Sequence, residues 1–325
     1  MTIKVLVLGA TGFIGHKVME QLHATQGIQP IAASRQATSV RTPPWPTISV
    51  NTLDVKQMTQ ALQGVDAVVN CVAGDANTIR EGARILAQAC QQQQVPTIVH
   101  LSSMAVYGSS IGPILESAPL RRDGGWYGEA KCDAEEILAG LDNQTCRVVI
   151  LRPGCVYGPG SDQWVGRIAR LLKSRRIGDL GAAGDGFSNL VHVNDVVQAV
   201  AHAVQRPHAR GAYNLSCPDA PDWNGYFVAL ARGLQFTPVK RITRRQLKLD
   251  SKVLSIGLKV LEILVSKLKL RSVHIPDPIP PSLSRLWTQD IRLNSNKASA
   301  QLIDNWTSLK QGIQSSVDWV KQDKR

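Results

Sequence analysis

Lys4-Val5-Leu6-Val7-Leu8-Gly9-Ala10-Thr11-Gly12-Phe13-Ile14-Gly15 is the stretch that decides the fold. Its apolar, β-branched start reads as a buried strand, and Phe13–Ala24 reads as the helix that follows. Gly9 permits the tight turn between them, Gly12 lets the backbone approach a pyrophosphate, and Gly15 allows close helix–strand packing. Phosphates placed there meet the free N–H groups and the positive end of the helix. A strand before the glycines and a helix after them separate this loop from an ordinary glycine turn.

Working outward, further strand-like runs are Pro30–Ala33, Ile48–Asn51, Ala67–Val72, Thr97–Leu101 and Val148–Leu151. Helical stretches at Gln57–Leu62, Thr78–Gln94 and Tyr127–Leu141 lie between them. Apolar strands alternating with helices imply an α/β chain with a doubly wound parallel sheet, covered on both faces. After Pro159 the pattern loosens: Trp164–Ser174 reads as a helix, and Leu190–Val193 and Ala212–Leu215 as strands flanking a Val196–Gln205 helix. We therefore expect a dinucleotide-binding domain over residues 1–160, to which 186–216 return. Residues 161–185 and 217–325 are expected to form a smaller, mostly helical substrate-binding region closed by a helix at Leu309–Lys321.

The 325 residues are 43% hydrophobic and 19% charged, which excludes a disordered chain. The +12 net charge raises the question of an anionic partner. Six cysteines show no CxxC pair and no clustering with histidine, as expected of reduced thiols in a cytoplasmic protein without a metal. Because the N-terminus runs directly into the first strand, no signal peptide is expected, and no uncharged apolar run reaches the ~18 residues of a membrane span.

The second strand ends Ala32-Ala33-Ser34-Arg35. An acidic residue there would accept the ribose 2′-hydroxyl of NAD and repel a 2′-phosphate. A hydroxyl and a guanidinium favour NADPH over NADH, since arginine can fork onto a phosphate. Asp54, in Leu53-Asp54-Val55, suits either an adenine contact or a helix cap.

Tyr127-Gly128-Glu129-Ala130-Lys131 puts a phenol and an ammonium on one helix face. Ser103 follows the strand Thr97–Leu101, at the carboxyl edge where parallel sheets bind ligands. A phenol that exchanges protons near neutral pH must be depressed by ~3 units from about 10. One cation at ~4 Å supplies roughly that in a medium of effective dielectric about 20. Lys131 is the expected cation, and Ser103 is expected to hold the substrate oxygen.

These pieces together resemble the extended short-chain dehydrogenase/reductase family, within the NAD-dependent epimerase/dehydratase superfamily. The likeness rests on Gly9–Gly15, Asp54-Val55, Val69–Ala73, Leu101–Gly108, Tyr127–Lys131, Leu151–Gly160 and Leu190–Val196, and thins after residue 215. It implies Ser103, Tyr127 and Lys131 as the catalytic triad; Ser103 is chosen over Ser102 by its spacing from Tyr107. It implies a cofactor set of Gly9, Thr11, Gly12, Phe13, Ile14, Gly15, Ser34, Arg35, Asp54, Val55, Val72, Ala73, Gly74, Tyr127, Lys131, Pro153, Gly154 and Val156. Met104 and Ala105 stand where related dehydratases carry an acid. Ser188 stands where many nucleotide-sugar epimerases carry a diphosphate-binding arginine. The Leu151–Gly160 wording is similar to the hydroxysteroid dehydrogenase and flavonoid-ketone reductase side of the family. We therefore expect ketone/alcohol interconversion on a medium-sized apolar small molecule. The alternatives are a nucleotide-sugar epimerase with retained NAD and a non-catalytic, membrane-associated NADPH-binding protein.

Residues 240–271 carry ten cations against Asp250 and Glu262. Within them, 252–269 read as a helix apolar over most of its girth, fit to be buried, to cover substrate or to rest peripherally on a membrane surface. The cations lack interleaved aromatics, so no nucleic-acid partner is expected. A homodimer would use the Thr78–Gln94 and Tyr127–Leu141 helices. His192 and Asp195 read as securing a strand-to-helix turn, Trp126 as bordering the substrate, and Trp287, Trp306 and Trp319 as stapling the last helix.

Overall fold

A computed structural model describes residues 2–35, 44–143, 145–251 and 276–322. In chain order its principal elements begin β1 (Ile3–Leu8), α1 (Phe13–Ala24), β2 (Ile28–Ser34), β3 (Thr47–Ser49), α2 (Val55–Ala61), β4 (Ala67–Asn70), α3 (Ala76–Gln93) and β5 (Thr97–Leu101). They continue β6 (Gly112–Ile114), α4 (Trp126–Ala139), β7 (Arg147–Pro153), β8 (Cys155–Tyr157), α5 (Arg167–Lys173), β9 (Leu190–His192), α6 (Val193–Gln205) and β10 (Gly211–Leu215). The chain separates into two compact units.

The first unit is Met1–Gly154, Val193–Ser216 and Leu293–Trp306. Its sheet has seven strands in the order β10-β7-β5-β4-β1-β2-β3, and every pairing is parallel. This is the doubly wound α/β arrangement. Register aligns the carboxyl ends: Leu8 stands beside Ala33 and Asn70, Asn70 beside His100, and Leu101 beside Leu151. The loops that leave these ends therefore share one edge of the sheet. On one face Leu6, Leu8, Val68, Ile98, Val148 and Ile150 form a core with Ile79, Ala83 and Leu86 of α3 and Ala130, Ala134 and Leu138 of α4. Burying such side chains gives about 1.5–3 kcal/mol each for the larger ones. α1 buries Gly15, Val18, Met19 and Leu22, a stripe at helical spacing, and packs against α6.

The second unit is Cys155–His192, Cys217–Arg292 and Thr307–Arg325. β8 and β9 pair in parallel as a separate two-stranded sheet. Around it Ile168, Leu171, Trp223, Tyr226, Phe227 and Trp287 make an aromatic-rich core. A terminal helix, Leu309–Gln322, docks Gly312 so closely on Tyr157 that a Cβ there would stand 2.0 Å from the phenol oxygen.

Three details depart from the sequence expectations. β2 starts at Ile28 rather than Pro30, because β1 pairs along it from Ile28 while β3 joins only from Ala32. Pro30, lacking an N–H, thus sits where the second side of the strand has no ladder to supply. Of the three tail tryptophans, Trp287 and Trp319 pack in the second unit's core. Trp306 instead belongs to the first unit, where its indole N–H donates to Ser299 Oγ at 2.9 Å. Finally, Leu190–His192 pairs with β8, outside the main sheet. The 252–269 helix expected from sequence lies outside the described residues.

Candidate active site

The glycine-rich turn is shaped by close backbone contacts at Gly9 and Gly15. Gly9 has φ +74°, and a Cβ on it would stand 3.0 Å from the Cys71 carbonyl carbon and oxygen. A Cβ on Gly15 would come within 2.2 Å of the Gly9 carbonyl oxygen. Gly12 caps α1 without any side-chain hydrogen bond, and its own Cβ would meet only the Gly9 oxygen, at 3.4 Å. The first N–H groups of α1 are thus presented at a helix N-terminus with no competing cap, as a pyrophosphate requires. Thr11, Phe13 and Ile14 lie in this turn and the first turn of α1. The residues present fit a dinucleotide.

At the end of β2, Ser34 is buried and Arg35 is exposed, with its carbonyl accepting from Ser49 Oγ at 3.2 Å. The sequence left two roles open for Asp54. In the structure its carboxylate accepts from the Gln57 backbone N–H at 3.1 Å and the Gln57 amide at 3.0 Å, capping α2 ahead of Val55. Capping accounts for both oxygens. After β4, the Val72 N–H donates to Asn70 Oδ1 at 3.1 Å, and Ala73 and Gly74 lead to the Asp75 cap of α3.

β5 delivers Ser103 into a short 3-10 turn, Met104–Tyr107, where Ser103 Oγ accepts from the Ala105 N–H at 3.2 Å. α4 runs alongside because Gly128 has no side chain: a Cβ there would stand 2.6 Å from the Ala105 carbonyl oxygen. That contact sets Tyr127, next to Gly128 on α4, where the Ser103 side chain acts on its phenol. The same helix buries Lys131, whose Nζ donates to the Leu101 carbonyl at 2.7 Å. Ser103, Tyr127 and Lys131 therefore converge at the carboxyl end of β5. Ser102 is buried, and its hydroxyl has no hydrogen-bond partner among the described residues.

Electrostatics differ from the simple expectation that Lys131 depresses the phenol. Burial pushes the Tyr127 phenol above its ordinary value, and the Ser103 side chain offsets only part of this. Burial likewise lowers the Lys131 ammonium to about 8, against the opposing pull of Cys71 and Glu135. The Cys71 thiol is pushed up to about 12 by burial, with Lys131 acting in the other direction. The chain by itself thus holds Tyr127 as a protonated acid beside a cation that is costly to keep charged.

One turn beyond Lys131 is a buried group of residues that sequence reasoning missed. Glu135 and Arg152 are 2% and 6% exposed. Arg152 donates through Nε to both Glu135 carboxylate oxygens at 3.1 Å and through Nη2 to Oε2 at 2.6 Å. Its Nη1 donates to Tyr107 Oη at 2.8 Å and to the Glu116 carbonyl at 2.9 Å, and Tyr107 donates in turn to Asn214 Oδ1 at 2.7 Å. Burial alone would lower the Arg152 value; the Glu135 carboxylate outweighs it and raises it. Only the spacing Tyr127–Lys131–Glu135, polar residues every fourth position on a buried helix face, signalled this group.

Pro153 and Gly154 close the first segment of the first unit, whereas Val156 is buried in β8 of the second. In that unit Ser188 is fully buried, with its hydroxyl on the Pro221 carbonyl at 2.5 Å. His192 Nε2 contacts Ser315 Oγ at 3.2 Å, and burial lowers it to about 4, so it is a neutral structural group. Asp195 is buried in the first turn of α6, and Trp126 is 57% exposed, edge-on to Tyr127. Lys240, Arg241, Arg244, Arg245 and Lys248 are exposed. No helix among the described residues is long and apolar enough to cross a membrane.

The model of the NAD dependent epimerase/dehydratase family matches residues 5–216. The chain belongs to that family. It is an NAD(P)-dependent enzyme of the extended short-chain dehydrogenase/reductase type. It is 26% identical over 241 residues to the N-acetyl-alpha-D-glucosaminyl-diphospho-ditrans,octacis-undecaprenol 4-epimerase of Escherichia coli O157:H7, covering 69% of this chain and 70% of that one. It is 28% identical over 212 residues to the 2-alkyl-3-oxoalkanoate reductase of Stenotrophomonas maltophilia, covering 58% and 60%. In fold it is similar to the UDP-glucose 4-epimerase of Thermotoga maritima, with TM-score 0.75, 18% identity and coverage of 99% and 100%.

Proposed function

We propose that this enzyme is an NADPH-dependent oxidoreductase that interconverts a ketone and a secondary alcohol on a medium-sized, apolar substrate. The observation that carries the reading is the convergence of Ser103, Tyr127 and Lys131 beside an uncapped helix N-terminus. The bound nicotinamide supplies or accepts the hydride. The chain supplies the proton: Tyr127, kept protonated by burial, donates it to the carbonyl oxygen in reduction and takes it back in oxidation. Ser103 Oγ, oriented by the Ala105 N–H, holds that oxygen in line. Lys131, tied to the Leu101 carbonyl, would hold the nicotinamide ribose and would stabilise the phenolate as it forms.

Two features favour reduction over dehydration and over chemistry on a nucleotide diphosphate. Met104 and Ala105 give the Ser103 turn no second acid. Ser188, standing where many epimerases carry a diphosphate-binding arginine, is buried against a carbonyl. The name of the Escherichia coli relative favours a second reading, a sugar 4-epimerase that regenerates its NAD in each turnover.

Fluorescence titration with NADPH and NADH, in wild type and Arg35→Glu, separates the two. The exposed Arg35 should make NADPH binding much the tighter, and Arg35→Glu should reverse the order. Equal affinities, or stoichiometric NAD carried through purification, would move the sugar epimerase to first place.

A further inference from the structure

Asn70 and His100 are register partners at the carboxyl ends of β4 and β5, and both are buried. An imidazole and an amide in adjacent central strands are costly where apolar residues would pack without penalty. Their hydrogen bonds run in one direction. The Val72 N–H donates to Asn70 Oδ1 at 3.1 Å, which fixes the amide and leaves Asn70 Nδ2 as a donor. That nitrogen stands 3.1 Å from His100 Nδ1, which must therefore accept, so the neutral ring carries its hydrogen on Nε2. Burial, reinforced by the Lys131 charge, holds His100 well below the usual histidine range, which favours the neutral, accepting ring. The ring lines a small cavity beneath α3 together with Thr52, Thr78 and Gly82, and Nε2 has no hydrogen-bond partner among the described residues.

The Val72 amide at the head of this chain abuts the glycine turn. A Cβ on Gly9 would stand 3.2 Å from the Val72 nitrogen, so the glycine turn rests on the segment that Asn70 holds. His100 lies in β5, three residues before Ser103, so the pair ties the Val72–Gly74 segment to the strand that leads into the Ser103 turn.

We propose that Asn70 and His100 are positioning residues that hold the Val72–Gly74 segment against the Gly9 turn and so set dinucleotide affinity, without taking part in hydride or proton transfer. The proposal rests on the dinucleotide site described above. The experiment is titration of NADPH into wild type, His100→Leu, His100→Gln and Asn70→Leu, beside 15N NMR of the wild-type histidines. Losing one buried hydrogen bond should weaken NADPH binding about tenfold in His100→Leu and Asn70→Leu. His100→Gln, whose amide oxygen can accept from Asn70, should stay within about threefold of wild type. The NMR spectrum should show a His100 ring protonated on Nε2 alone, with no titration between pH 5 and 8. A His100→Leu variant that binds NADPH as wild type does, or a His100→Gln variant as weak as His100→Leu, overturns the proposal. A ring protonated on Nδ1 overturns it even if the leucine variants fail to fold. Wild type that binds neither NADPH nor NADH would instead sink the cofactor reading, while the NMR still reports on the pair.

Discussion

Glu135→Gln removes one charge from a pair that water cannot reach and leaves its shape almost unchanged. The two side chains are 2% and 7% exposed. Arg152 is also tied to Tyr107 and to the Glu116 carbonyl, so it cannot swing into solvent without breaking those bonds. The variant strands a guanidinium in a medium that solvates it poorly. Breaking such a pair from one side costs about 3–5 kcal/mol. At about 2–4 °C per kcal/mol for a unit of this size, Tm should fall by roughly 10 °C. The control is Glu136→Gln, one residue along the same helix, whose partner Arg122 and own side chain are 47% and 55% exposed. Exposed pairs are worth about 0–1 kcal/mol, so this variant should be almost silent. Urea and thermal unfolding followed by circular dichroism read both. Adding Arg152→Met to Glu135→Gln should recover part of the loss, because the stranded charge leaves with the arginine. A Glu135→Gln cost no larger than that of Glu136→Gln would refute the view that the pair is held as a desolvated ion pair.

Two further outcomes follow from the same geometry. Gly128→Ala would drive a methyl to within 2.6 Å of the Ala105 carbonyl oxygen and push α4 off the Ser103 turn. Turnover should fall about a hundredfold while NADPH affinity holds, as measured by parallel kinetics and titration. For Lys131, the folded value of about 8 lies below the 10.5 of an exposed lysine. The unfolded chain therefore binds more protons between pH 8 and 10.5, and this residue's contribution to stability rises with pH across that window. Unfolding free energies of wild type and Lys131→Met should diverge in that direction, and parallel pH curves would contradict the buried, depressed ammonium.

The parts of the molecule governed by local pattern were legible in the sequence. Phe13–Ala24 and Thr97–Leu101 have the bounds read from periodicity alone, because glycine punctuation and a fully apolar strand leave little choice. Ser103, Tyr127 and Lys131 were legible as residue types at a spacing. Their electrostatics were not: the balance between the burial that raises Tyr127 and the charge of Lys131 depends on packing of α4 against β5, which spacing does not encode. The partner of Leu190–His192 was likewise hidden, since an apolar run says that a strand is buried but not against what. The Arg152–Glu135–Tyr107–Asn214 chain and the Asn70–His100 pair join residues from different strands and helices. The polar members of buried faces hint at such groups, and only the fold assembles them.

In the proposed function Tyr127 is the proton donor of a hydride-transfer reaction at this site. The most direct measurement is turnover of wild type and Tyr127→Phe, with NADPH oxidation followed at 340 nm over a panel of apolar ketones and product analysis of UDP-sugars run in parallel. NADPH affinity is measured for both proteins. Activity on a ketone should fall about 10²–10⁴-fold in Tyr127→Phe, with NADPH affinity held within about threefold. A Tyr127→Phe protein that binds NADPH and turns over as fast as wild type would contradict it.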